Sequence, residues 1–460
     1  MYFTMASLKE QKEIFVSGHA GTSPQEILLV CMSGIIGYWL YSVLPVHLTS
    51  VRILGTEVYL FWLPMILVQS NFLYPWGMLY LVVEVIMAVF LEVQSIRRTE
   101  EDANSKTSAT TTAPQGHNRE DQSTRYQHGA LTMHRCVVMY LTFVAILAVD
   151  FPLFPRRFVK TETGGYSLMD VGAASFAVVA GLTSPRARLG RSRSMVRELK
   201  RMAPLLCMGS LRLLTHQEIE YQEHVSEYGV HWNFFYTLAA LGPLTAVLPG
   251  PTWIVPTLIM VVYQYFLSNM ALQHWVEDAP RKCTEQDSRI CDLFMANREG
   301  VLGCCGYVSL YLISEWIGNN VLWNRSTTRD TVRQMLYTSG VVLILWRVVV
   351  SMGIPVSRRS TNLGFVLWSL VVNVPLSTCI LIIYKRHQRV SFLAKLVNRH
   401  GLACFIVANL LTGLVNLSIN TLEVHDLTAV AILLAYLTAV GVFSMLLDGI
   451  WTSLSKPKQA

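Results

Sequence analysis

The chain has 460 residues, 52% of them hydrophobic and only 15% charged, with a mean hydropathy of +0.39. A soluble globular protein is about one-quarter charged, and here the apolar excess runs the whole length, which excludes a soluble enzyme carrying one anchor. The formal charge of +7 then reports basic loops on one side of a membrane and gives no reason to expect a nucleic-acid partner.

Met1 to Gly21 is mixed and polar and lacks the short apolar core and small-residue cleavage site of a signal peptide, so the first apolar segment is expected to act as the membrane signal and to stay in the chain. Apolar runs broken by charge, Pro and Gly predict an all-α polytopic protein, a bundle of about thirteen transmembrane helices. In chain order they lie near 26–44, 57–70, 74–93, 134–149, 168–184, 203–214, 232–248, 253–267, 300–317, 335–351, 363–384, 401–418 and 427–447. The second and sixth are short enough to be tilted or interfacial. The stretch Gln94–Gln127, rich in Thr, Ser, Asn and Gln, has too few apolar residues to fold and is expected to be disordered. No repeat or other linker is visible, so residues 1–460 read as one membrane domain.

Orientation follows from Lys and Arg in short loops. Arg186, Arg188, Arg191, Arg193, Arg197, Lys200 and Arg201 follow the fifth span, and Lys385, Arg386, Arg389, Lys395 and Arg399 follow the eleventh. Both are odd-numbered exits, which places them in the cytosol, the N-terminus in the lumen and the C-terminus in the cytosol. The acidic loop with Glu218, Glu220, Glu223 and Glu227 is then lumenal, in agreement. Arg156, Arg157 and Lys160 would also be lumenal, against the rule: either chance or retention for function. Lys456 and Lys458 match a dilysine retrieval signal on a cytosolic tail, pointing to the endoplasmic reticulum. Asn324-Arg325-Ser326 is a glycosylation sequon that this topology leaves unused in the cytosol. The nine cysteines form no CxxC pair; Cys283 and Cys291 share a polar loop and can pair if it is lumenal.

The chemistry-bearing stretches are few. Asp150 ends an apolar run and is followed by Pro152 and Pro155, which stop the helix. Irregular backbone at the membrane boundary needs a protein- or water-lined cavity. Arg156, Arg157 and Lys160 follow within ten residues of Asp150. An ionisable group there marks function by default, although Asp150 could equally pair with an arginine to fix a turn. In the stretch His216 to Asn233, helical spacing would put Glu220, His224, Glu227 and His231 on one face. No HExxH-like signature is present, so no metal is predicted; a surface for hydroxyl-rich sugars, using Glu223, His224, His231, Trp232 and Asn233, suits these side chains better than a metal does, and the alternative is a polar lumenal loop with solvated carboxylates. Asp170 enters the fifth span, where it caps a helix, meets Arg157 or binds substrate; Asn297 and Arg298 open the ninth, where Arg298 pairs with Glu299 or binds substrate. Neither a G-x-S-x-G elbow nor a P-loop occurs.

At these residues the sequence resembles the GPI inositol acyltransferase family, also called the GPI-anchored wall transfer protein family. The matching blocks run from Ala145-Ile146-Leu147-Ala148-Val149-Asp150-Phe151-Pro152 through Pro155-Arg156-Arg157-Phe158 to Lys160 and Glu162. They continue with Ser167-Leu168-Met169-Asp170, Glu220-Tyr221-Gln222-Glu223-His224-Val225 and Glu227-Tyr228-Gly229-Val230-His231-Trp232-Asn233. Ala296-Asn297-Arg298-Glu299-Gly300, Val356-Ser357-Arg358-Arg359 and Ala408-Asn409 through Thr412-Gly413-Leu414-Val415-Asn416 also match, so the resemblance covers nearly the whole chain.

The resemblance implies a bundle of about thirteen transmembrane helices that moves a fatty acyl group, usually palmitoyl, from acyl-CoA to the inositol 2-hydroxyl of glucosaminyl-phosphatidylinositol. It implies Asp150 and Lys160 as the acid/base pair, with acyl-CoA as co-substrate and no resident cofactor. An alcohol needs a base as it attacks a thioester, and Asp150 can be that base; Lys160 can orient it or stabilise the oxyanion. Both substrates carry phosphate, for which Arg156, Arg157 and Arg298 are candidates. The rivals are a lipid or solute transporter using Asp150 and Asp170 as coupling groups, and a histidine-dependent acyltransferase using His224 or His231.

Overall fold

The computed structural model describes residues 15, 18–45, 52–106, 119–162, 164–218, 225–283, 289–324 and 327–455. Among them the only β pairing is an isolated bridge between Thr22 and Tyr166; the rest is helix and connection. The helices are α1 Pro24–Val43, α2 Ile53–Val68, α3 Tyr74–Lys106, α4 Arg119–Ala148, α5 Leu168–Leu182, α6 Pro185–Leu189, α7 Met195–Glu218, α8 Val225–Tyr228 and α9 Phe234–Ala246. They continue as α10 Ile254–Asn269, α11 Leu272–Asp278, α12 Arg289–Ala296, α13 Arg298–Ile317, α14 Thr328–Ser351, α15 Leu363–His387, α16 Phe392–Arg399, α17 Gly401–Ser418 and α18 Asp426–Ser455.

The protein is an all-α polytopic membrane protein. Among the described residues nine helices are long and apolar enough to cross a membrane, and α10 with α11, bent by 76°, makes a tenth if counted as one broken span. The expected count of about thirteen differs at three segments. The second and seventh lie in α2 and α9, which are apolar but short. The sixth lies inside α7, where Arg197, Glu198, Lys200 and Arg201 crowd the first turns and Pro204 interrupts the ladder, so no apolar stretch of crossing length remains. The described parts of the stretch Gln94–Gln127, expected to be disordered, are helical. Helix α3 runs on to Lys106 and α4 begins at Arg119, because each polar segment continues an apolar helix already nucleated; residues 107–118 lie outside those described.

The chain divides into two compact units. Unit 1 comprises Met1–Ile27, Arg156–Arg325 and Arg329–Pro375; unit 2 comprises Leu28–Pro155, Ser326–Thr328 and Leu376–Ala460. Unit 1 is organised round α13, which packs on α5, α9 and α10, while α7 lies along α9. Gly181 permits the α5–α13 approach: a Cβ there would sit 2.4 Å from the Tyr311 carbonyl oxygen. Unit 2 is organised round α4, buried against α16, α17 and α18. Its α3 packs on α2 and leaves Leu79, Val83, Ile86 and Phe90 exposed, as a lipid-facing helix does.

Candidate active site

In unit 2, α4 stops at Ala148. The chain leaves through two tight turns, with Phe151 N donating to the Ala148 carbonyl and Phe154 N to that of Phe151, while Phe151 and Phe154 are fully buried. This is the break that Pro152 and Pro155 predicted. Asp150 lies in it, 4% exposed. Its Oδ2 accepts a hydrogen bond of 2.6 Å from Asn416 Nδ2 in the last turn of α17; the same amide donates to the Thr412 carbonyl at 3.1 Å, which sets its orientation.

In unit 1, a 3-10 turn over Arg156–Phe158 buries Phe158 and turns the cations outward. Arg156 stacks over the Phe15 ring, 3.9 Å from its centroid. Arg157 grips Glu26 with a fork, Nη2 to Oε1 at 2.7 Å and Nε to Oε2 at 3.1 Å. Thr22 also bonds Glu26, so a phosphate at Arg157 would have to displace a carboxylate already in place.

Lys160 opens a chain of alternating charges. Its Nζ donates to Glu227 Oε2 at 2.5 Å. The other oxygen of Glu227 accepts from Arg358 Nη1 at 2.5 Å, and Arg358 Nε lies 2.8 Å from Asp170 Oδ1. Asp170 Oδ2 accepts from the Thr161 hydroxyl at 2.7 Å and the Thr161 amide at 3.2 Å. Two cations and two anions thus alternate, with Arg358 and Asp170 each 4% exposed at the side chain. Burial alone would raise the Glu227 carboxyl, but the charges and hydrogen bonds of Arg358 and Lys160 outweigh it and hold it well below the ordinary carboxylate range. Burial disfavours the Arg358 guanidinium, and Glu227 and Asp170 more than reverse this. Asp170 does not meet Arg157, and the cap of α5 is Ser167, whose Oγ accepts from Asp170 N.

The other expected site residues of unit 1 hold the scaffold. Asn233 caps α9: its Oδ1 accepts from Phe235 N, and its Nδ2 donates to the Gly209 carbonyl. Trp232 Nε1 donates to Thr237 at 2.9 Å. Asn297, 4% exposed, accepts from the His231 amide at 2.8 Å, and its Nδ2 lies 3.4 Å from Nδ1 of the His231 ring, while His231 as a whole is exposed. Gly229, at φ +115°, makes this docking possible, since a Cβ there would lie 2.5 Å from Asn297 Cα.

Arg298 is 1% exposed and spends its guanidinium on the carbonyls of Val276, Ala279, Pro280 and Met295. It therefore pins the end of α11 to the start of α13 and is not presented to a phosphate. Nor does it pair with Glu299, because adjacent helical residues point apart; Glu299 meets Arg281 at 2.6 Å and Arg359 at 3.5 Å. Cys283 and Cys291 are joined in a disulfide beside this region. Glu220, Glu223 and His224 lie outside the described residues.

Sequence reasoning missed three participants. Arg358 and Asn416 stood inside quoted blocks without a role, and Glu227 was grouped with histidines on a helix face of which the described helix, Val225–Tyr228, holds only Glu227. Nothing local to any of them signals its partner, which is remote in sequence: Asp150 is 266 residues from Asn416 and Glu227 is 131 from Arg358.

The GWT1 family model matches residues 8–447. A GPI-anchored wall transfer protein 1 from Aspergillus oryzae is 32% identical over 96% of this chain and 98% of its own length. One from Candida glabrata is 33% identical over 94% and 96%. The chain belongs to the GWT1 family. As a GWT1-family protein it is placed in GPI-anchor biosynthesis, and in both relatives the similarity extends over nearly the whole of each chain. The two polar centres of this GWT1-family chain hold different chemistry. Asp150 offers an oriented, buried carboxylate, and Lys160 offers an ammonium held against a permanent anion.

Proposed function

We propose that the protein is an acyl-CoA-dependent O-acyltransferase of the endoplasmic reticulum membrane that acylates the inositol 2-hydroxyl of glucosaminyl-phosphatidylinositol. Asp150 accepts the hydroxyl proton as the oxygen attacks the thioester carbonyl. The Lys160 ammonium stabilises the oxyanion of the tetrahedral intermediate. The O–C bond forms, the C–S bond breaks, and the proton held by Asp150 passes to the departing thiolate to give free CoA. Arg156 and Arg157 are the phosphate ligands, Arg157 by exchanging Glu26 for phosphate.

The observation that carries this reading is the buried Asp150 at the broken end of α4 with one oxygen held by Asn416. Asn416 sets the orientation of the carboxylate, and an oriented carboxylate can take an alcohol's proton as its oxygen attacks. The Cys283–Cys291 disulfide supports the lumenal placement of that loop, since disulfides persist on the oxidising side. With that loop lumenal, the five crossing helices that follow it, α13, α14, α15, α17 and α18, end with the C-terminus in the cytosol. Purified protein in bilayer discs, given labelled palmitoyl-CoA and glucosaminyl-phosphatidylinositol, should yield labelled acyl-inositol lipid and one free CoA per transfer. A transporter would move lipid while consuming no acyl-CoA, and that outcome would reject the reading.

A further inference from the structure

We propose that Glu227, braced by Arg358, is a positioning residue that keeps the Lys160 ammonium charged and fixed in place for acyl transfer. The inference rests on the acyltransferase reading and goes beyond it, because it names what holds Lys160 protonated and in place. A lysine that acts as a base must be neutral, and a carboxylate at 2.5 Å opposes that. A lysine that stabilises an oxyanion must stay protonated, and the same carboxylate favours it. The arrangement therefore selects the cationic role.

Glu227 alone would be a poor device, since a lone carboxylate can neutralise its lysine by drawing it close or can itself take up a proton. Arg358 prevents both. It binds the second Glu227 oxygen at 2.5 Å and is itself held by Asp170 at 2.8 Å, so the anion is shared and cannot swing. Asp170 in turn is tied to Thr161, the residue after Lys160, by a hydroxyl bond of 2.7 Å. The loop is thus closed on itself: the segment bearing Lys160 is fixed by its side chain at one residue and by Thr161 at the next. The charged or titratable groups facing Glu227 are Lys160, Arg358 and Asp170, with Tyr228 and Tyr307 beside Arg358. Burial pushes the Tyr228 hydroxyl up, so it stays neutral at physiological pH, and Lys160 is the group that Glu227 tunes.

The test compares Glu227→Gln, Glu227→Asp and Lys160→Met in the full-length protein, using palmitoyl-CoA and glucosaminyl-phosphatidylinositol. Glu227→Gln should lower kcat by about 10- to 100-fold, the effect of about 1.4–2.8 kcal/mol, with KM for palmitoyl-CoA nearly unchanged. Its alkaline limb should move to lower pH, because the ammonium loses its anion; a purely structural role would not move that limb. If Glu227→Gln does not fold, Glu227→Asp decides: it keeps the charge beside Arg358 but falls one methylene short of Lys160, so kcat should drop with thermal stability retained. A wild-type rate and an unmoved alkaline limb in the folded variant, with Lys160→Met inactive, would overturn the positioning role alone. A fully active Lys160→Met would instead overturn the acyltransfer roles on which it rests.

Discussion

Asn416→Ala isolates the grip on Asp150. The substitution removes a 2.6 Å hydrogen bond to Asp150 Oδ2 and leaves the backbone of α17 intact, because the bonds lost, to the Thr412 carbonyl and from the Thr421 hydroxyl included, are made by the side chain. A hydrogen bond to a charged group contributes about 1.5–3 kcal/mol. Spent on orientation in the transition state, that corresponds to a fall in kcat of about 10- to 150-fold. Asn416→Asp should be worse, since two carboxylates so close cannot both stay ionised and one must take the proton that Asp150 is meant to accept. The assay is steady-state acyl transfer in bilayer discs, with monodispersity and palmitoyl-CoA binding measured on the same preparations. An Asn416→Ala protein that turns over like wild type, alongside an inactive Asp150→Asn, would refute the claim that this bond orients the base.

Other substitutions address the rest of the account. Asp150→Asn should reduce acyl transfer by roughly two to four orders of magnitude. Lys160→Met should be comparably severe, and the double variant should lose little more than the worse single, as residues acting as one unit do; near-additive losses would show independent roles. Arg298→Met should destabilise the fold by about 3 kcal/mol or more, read as thermal unfolding in detergent, because it strands buried carbonyls at the end of α11. For pH, the depressed carboxyl of Glu227 gives the sign. Its stabilising contribution is complete above the unfolded-state value of about 4.3 and is lost progressively as the pH falls below it. Thermal stability should therefore hold from neutral pH to about 5 and fall under 4, with a shallower fall in Glu227→Gln; an identical acid profile in that variant would contradict the assignment.

The helical architecture was legible because lipid demands long apolar runs and leaves no other way to satisfy the backbone. Where the sequence misled, charge and helix propagation explain it. Segment 203–214 looked like a span until its cationic first turns were counted, and polar residues up to Lys106 were drawn into helix by the apolar turns before them. Asp150 stood out locally, since a carboxylate, two prolines and three cations adjoin in the chain. Partners did not. Arg298 read as a phosphate ligand because sequence shows a charge at a helix start and not the four carbonyls that fold round it. Arg157 looked available because Glu26 is 131 residues away. Lys160 was recognised, but the anion that fixes its charge state arrives from a segment read as a sugar-binding surface, 67 residues away.

The most direct measurement is the fate of labelled palmitoyl-CoA incubated with purified protein and glucosaminyl-phosphatidylinositol. The account predicts an inositol-linked, base-labile palmitoyl lipid formed in step with free CoA, abolished in Asp150→Asn although that variant remains monodisperse and still binds palmitoyl-CoA. Unmodified inositol with wild-type protein, or near-normal turnover by folded Asp150→Asn, would contradict it.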